Sequence, residues 1–265
     1  MKYMHFKASC SYAALANLME RLGVDTEDSR IAVEMGLPRL FAKDGDAFVA
    51  GPMLQSAEWF DLWLRPRGFR MSERAVRREA LPTVLQSGGP CMLGVETPYG
   101  KHAIVFLRYD GSYRFLNPTH EDSGEDTQLN LSETDLLRCT DDPVMLAEVF
   151  PQAPESVDPV PYLRRSVRVL HENVEAIERF SALPHDPDEY PAALNTLFRP
   201  LLLDGISMLT LIRETALAAR LESLQRALMT FLRGPRTGVL ADTLPLSELR
   251  AAAEAYIRLI ERVIP

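Results

Sequence analysis

Hydrophobic positions near the start of the chain follow a helical period. Leu15, Leu18, Met19 and Leu22 stand at i, i+3, i+4 and i+7, which predicts an amphipathic helix over 10–22 that Gly23 can close. Residues 26–35 read as a second helix. The stretch GPMLQSAEWFDLWL predicts a third, with Pro52 in its first turn. SERAVRREALPTVLQSGG predicts one or two short helices more. The period then changes. CMLGVET, HAIVFLRY and YRFLN are short apolar runs separated by PYGK and DGS, which predicts an antiparallel meander. SETDLLRC predicts a short helix opened by the capping pair Ser132 and Asp135, and VMLAEVF a final strand.

The texture changes at PQAPESVDPVP, whose four prolines break helix and strand alike. Beyond it the pattern is helical, with helices expected near 161–180, 189–214, 216–233 and 246–263. Leu217, Leu221, Leu224 and Leu228 illustrate the spacing, and a small antiparallel bundle is the simple reading. Helices followed by sheet make the first part an α+β domain over 1–150. A Pro-rich linker spans 151–160, and an all-α domain spans 161–265.

Composition narrows the function classes. With 265 residues there is room for one or two domains with a real core. A net charge of −8 argues against a nucleic-acid partner. The scarcity of lysine (Lys2, Lys7, Lys43 and Lys101) reads as a coding bias. Three cysteines with no CxxC pair make neither a disulfide framework nor a zinc-cysteine site. No cofactor or metal is expected. HEDSGED (120–126) lacks the spacing of a calcium loop and reads as an acidic surface loop. HENVE (171–175) lacks the second histidine of a zinc-protease motif and reads as a helix surface. No apolar run is long enough for a membrane span, and no signal segment is visible, so a cytoplasmic protein is expected.

Cys10 opens the first helix. A helix N-terminus carries roughly half a positive charge and unpaired N–H groups, which stabilise a thiolate and can bind an oxyanion. Free cysteine is also a common small buried residue, and that is the reading for Cys91 and Cys139. A thiolate nucleophile needs a base and a group to orient it. His102 begins a strand and Asn117 ends another. If Asp110-Gly111 forms a two-residue turn, Ile104 pairs with Asn117, and His102 becomes the diagonal neighbour of Asn117 on one face. A three-residue loop with a bulge would reverse that parity. Ser9 and Ser11 read as capping groups. Gln55, Trp59 and Trp63 stand at helical spacing as core or groove wall.

These segments together resemble the papain-like cysteine peptidase superfamily. SCSYAAL (9–15), KHAIVF (101–106) and NPT (117–119) are similar to the motifs of bacterial bacteriocin-processing, double-glycine-leader peptidases. The layout is also similar to the N-terminal domain of the butirosin-biosynthesis acyltransferase. The resemblance covers residues 1–150. It implies Cys10 as nucleophile, His102 as general base and acid, and Asn117 as orienter. It implies a peptide, amide or acyl-thioester substrate, with a carrier protein or peptide as partner, and the helical half could pair two copies of the chain. Relatives carry a glutamine shortly before the cysteine to complete the oxyanion hole. Here Met4 stands there, so His5, Ser11 and Gln55 are candidates for oxyanion or substrate contact. The implied activity is a cysteine-dependent hydrolase. The alternatives are an acyltransferase and a non-catalytic binding scaffold.

Overall fold

The structure is a computed structural model that describes residues 1–98, 100–182, 197, 201–233 and 246–265. It is α+β, as expected. Packing divides it into two units: residues 1–35 with 55–157, and residues 36–54 with 158–265. The sequence boundary at 150 did not anticipate that 36–54 would join the helical unit.

The first unit starts with α1 (Cys10–Arg21) and α2 (Asp28–Glu34). The predicted amphipathic helix is buried on every side. Tyr12, Ala13, Ala14, Leu15, Ala16 and Met19 are all 0% exposed, while Leu22, the expected fourth member of the stripe, is exposed. Three alanines let neighbours approach from sides that a polar face would have left to water. The one buried amide on this helix, Asn17, is satisfied by the Lys2 backbone at 2.8 and 2.9 Å.

The helix expected from Gly51 begins later. Residues 51–53 form a single 3-10 turn, and α3 runs Ala57–Leu64 after Ser56. Its tryptophans are buried, and the Trp63 ring nitrogen donates to Glu34 at 2.8 Å.

The larger correction concerns residues 69–76. SERAVRRE is rich in helix formers, yet Phe69–Val76 is a strand, β3. It pairs residue for residue with the final strand of this unit, from Phe69 opposite Pro151 to Val76 opposite Val144. Pairing along eight residues outweighs the weak helical preference, and charged side chains suit its edge position. Helix α4 (Leu81–Ser87) follows.

Four more strands, β4 (Cys91–Thr97), β5 (Gly100–Tyr109), β6 (Tyr113–Leu116) and β7 (Gln128–Leu131), come before helix α5 (Glu133–Arg138) and β8 (Val144–Pro151). All ladders are antiparallel, in the order β3-β8-β4-β5-β6-β7. Short β7 was not foreseen. Cys91, Leu93, Val95, Ile104, Phe106 and Phe115 form one sheet core with Leu81 and Leu85 of α4 and Leu136 of α5. Helix α1 packs against β4 and β5. Ser132 caps α5 by accepting the Asp135 N–H, as the capping pair predicts.

The β5–β6 connection departs from the expected two-residue turn. Tyr109 pairs with Tyr113, so three residues make the loop, with Gly111 at φ +95 supplying a backbone that favours glycine. The ladder then shifts by one between Phe106 and Arg108. This bulge cancels the extra loop residue. Phe106 faces Phe115 and Val105 faces Leu116, the register a two-residue turn would have produced. Deleting Leu107 should therefore straighten β5 without moving His102 relative to Asn117. The expected result is an unchanged pH profile of Cys10 reactivity in the deletion variant. Loss of reactivity in a folded variant would show that the bulge itself shapes the site.

In the second unit, Phe41–Asp44 and Ala47–Ala50 form a hairpin that the sequence reading passed over, β1 and β2 in chain order. It packs on α6 (Val160–Ala182). The Phe41 N–H donates to Ser166 Oγ at 2.9 Å. Of the helix expected over 189–214, residues 189–196 and 198–200 lie outside the described residues. Within it, α7 covers only Gly205–Leu211, because Asp204 at φ 58 interrupts the helix. Helices α8 (Thr215–Arg233) and α9 (Leu246–Glu261) match their predicted spans closely. Tyr256 of α9 is buried against Phe41, with rings 5.2 Å apart. Among the described residues no helix is long and apolar enough to cross a membrane.

Candidate active site

Three side chains meet in the first unit. Cys10 is the first residue of α1, His102 lies near the start of β5, and Asn117 follows β6 directly. Asn117 Oδ1 lies 2.8 Å from His102 Nε2, which fixes that nitrogen as the one bearing hydrogen. The other ring nitrogen, Nδ1, does not face Asn117, and the Cys10 thiol and the ring are near enough to shift each other's protonation. Asn117 is itself held, its Nδ2 donating to the Asp126 carbonyl at 2.7 Å and its backbone N–H to that of Thr127 at 2.9 Å. The acidic loop 120–126 thus braces the orienting amide.

Electrostatics favour charge separation. Burial works against the Cys10 thiolate. The interaction with His102, the Ala103 backbone N–H and the imidazolium charge outweigh it, so the thiol sits below its ordinary value. Burial also works against a charged His102. Cys10, Asn117 and the charge of Glu125 outweigh it and raise the imidazole. The two shifts move the proton from sulfur toward the ring, which populates a thiolate–imidazolium pair at lower pH than free groups would. The other thiols differ. Burial in the sheet core pushes Cys91 up to about 12, and burial also raises Cys139, whose S–H donates to the Leu136 carbonyl at 3.4 Å.

The other sequence candidates are placed as follows. His5 faces the buried Asp28, its Nδ1 2.5 Å from Oδ1, with Nε2 3.9 Å from Glu27. Ser11 is buried beside Cys10 and donates to Gln55 Oε1 at 3.1 Å. Gln55 is exposed rather than a core or groove-wall residue, and its amide donates to the Ala8 carbonyl at 2.9 Å. It therefore ties together the backbone before Cys10 and the side chain after it. Met4 is clamped through its backbone: its N–H donates to the Thr119 carbonyl at 2.8 Å, and its carbonyl lies 2.9 Å from His120 Nδ1. Ser9, expected to cap α1, makes no side-chain cap. Sequence reasoning missed Asp28 and the Ala103 N–H. An acidic residue in the first turn of a helix is ordinary, and nothing local to Asp28 reveals that it is fully buried. Among the described residues no group of three His, Cys, Asp or Glu side chains could hold a metal ion.

No family model matches the chain, and no curated protein is similar to it. Among solved structures, it aligns with a periplasmic domain of the EpsAB fusion protein of the Vibrio vulnificus type II secretion system. That alignment has 14% identity and a TM-score of 0.30, and covers 56% of this chain and 51% of the other. It spans about half the length of that chain, and a likeness this weak carries no argument about fold or activity.

Proposed function

We propose that this chain is a papain-like, cysteine-dependent hydrolase that cleaves an amide or peptide bond through an acyl-thioester on Cys10. The observation that carries this reading is the hydrogen bond from His102 to Asn117, with Cys10 and His102 acting on each other so that the thiol is lowered and the imidazole raised. His102 takes the thiol proton. Cys10 sulfur attacks the carbonyl carbon, and the carbonyl electron pair moves to oxygen, facing the N–H groups of the first turn of α1. The intermediate collapses as His102 Nδ1–H protonates the leaving amine. Water, deprotonated by the same nitrogen, releases the acid and restores the thiol. Asn117 keeps the ring in the tautomer and orientation both transfers need. A bound amine in place of water would make the same site an acyltransferase. The proposed setting is the reducing cytoplasm, where three free cysteines persist.

The test uses p-nitrophenyl acetate as a simple acyl donor and intact mass as readout. Wild type is expected to gain one acetyl group, mapped to Cys10. Cys10→Ala is expected to gain none, since the high thiol values of Cys91 and Cys139 leave them protonated. Partition of the acyl-enzyme between water and added amines then separates hydrolase from transferase. An absence of acyl-enzyme in wild type, with Cys10 still quick to alkylate, would overturn catalysis and leave a papain-like binding scaffold.

A further inference from the structure

Asp28 is fully buried and has no part in the relay described above. Its two oxygens accept four donors. Oδ2 takes the His5 N–H at 2.8 Å and the Ser9 hydroxyl at 2.6 Å. Oδ1 takes the His5 ring Nδ1–H at 2.5 Å and the Ser29 N–H at 2.7 Å. Three of these four donors belong to the short segment that leads into Cys10.

Ser9 occupies the N-cap position of α1. A serine there ordinarily has extended backbone and accepts an N–H of the first turn with its side chain. Ser9 does neither. Its φ is −95 and its ψ 12, and it makes no cap hydrogen bond. Its hydroxyl lies 3.0 Å from the Phe6 carbonyl and closer still to Asp28, and it accepts the Phe6 N–H at 3.3 Å. Ser11 is turned aside too, onto Gln55. Neither serine flanking the thiol spends its oxygen on the helix end. Met4, where relatives carry glutamine, has an apolar side chain and can donate nothing to an oxyanion.

We propose that Asp28 is a positioning residue for the oxyanion site: it draws the Ser9 hydroxyl off the end of α1 and leaves the N–H groups of Cys10 and Ser11 to the substrate. This inference rests on the acyl-thioester reading above. It explains how a site without the glutamine side chain can stabilise a tetrahedral intermediate, since backbone donors at a helix start do that work.

Two reactions at Cys10 separate the idea from a merely structural role. With p-nitrophenyl acetate, sulfur bonds to the carbonyl carbon, an oxyanion forms, and the C–O bond breaks to release p-nitrophenolate. With iodoacetamide, sulfur displaces iodide at a saturated carbon and no oxyanion forms. Asp28→Asn must turn an NH2 toward two of the four donors in either flip, which frees Ser9 or displaces the contacts beside it. Acylation is expected to fall on the order of 10²-fold in that variant, the cost of losing an oxyanion donor. The alkylation pH profile should be unchanged, because Asp28 is not among the groups that shift the thiol. Adding Ser9→Ala to Asp28→Asn should restore much of the acylation, since no hydroxyl remains to close the site.

Wild-type acylation by Asp28→Asn, a parallel fall in both reactions, or no recovery in the double variant would overturn the proposal. If Asp28→Asn does not fold, Ser9→Ala alone decides. Acylation near the wild-type rate supports the proposal, and a large loss shows that the hydroxyl itself is needed. The proposed function fails separately, if wild type forms no acyl-enzyme at all.

Discussion

His102→Ala is expected to slow iodoacetamide alkylation of Cys10 at neutral pH on the order of 10²-fold and to move its pH inflection upward. The sign follows from the balance at the sulfur. Burial is the largest influence on Cys10 and opposes the thiolate. The polar contact and the charge of His102 are the chief influences that overcome it. With the ring gone, two of the influences that oppose burial are lost and the thiol rises. Each unit of rise removes about tenfold of thiolate at a fixed neutral pH. In wild type the inflection should lie below 9.0. The measurement is the pseudo-first-order rate against pH, with Cys91 and Cys139 replaced by alanine and serine to leave one thiol. A wild-type inflection at the ordinary value, or a His102→Ala profile that overlays wild type, would remove the basis for the relay.

Phe106→Ala is expected to destabilise the first unit by about 3–5 kcal/mol, the usual cost of emptying a buried aromatic site. Phe106 is 0% exposed, stands opposite Cys91 and Phe115 on the neighbouring strands, and its ring lies 5.5 Å from that of Phe115. It sits one residue before the bulge, on the strand that carries His102. A domain margin is only about 5–15 kcal/mol, so much of it would be lost. Urea unfolding followed by far-UV circular dichroism should show a lower midpoint with little change in slope. A loss under about 1 kcal/mol would mean that this side of the sheet is loosely packed.

Local pattern carried the meander well, because apolar runs bounded by turn residues leave few other ways to bury them. It failed where tertiary pairing overrides preference. SERAVRRE reads helical, and only a long partner strand makes it β3. FAKDGDAFVA holds two strands of four residues each, too short for periodicity to speak, and packing against α6 brings them into the helical unit.

The site divides in the same way. A cysteine at a helix start, a histidine at a strand start and an asparagine at a strand end are all visible in one dimension, and alternation suffices to ask whether they share a face. The answer depended on two errors that cancel. The loop has three residues instead of two, and the bulge before Arg108 restores the register. A bulge is set by how a strand twists against both neighbours, so no local signal announces it.

What the sequence by itself determined is the α+β class, the strands that carry His102 and Asn117, and the identity of the three residues that meet. Short-range periodicity and residue chemistry suffice for these. Only the tertiary structure decided that α1 is buried on all sides, that His102 bonds to Asn117 and lies within electrostatic reach of Cys10, and that the Ser9 hydroxyl goes to Asp28 instead of capping α1. Each of these joins groups far apart in the chain, and the free energy of burying and pairing them appears only when the segments pack.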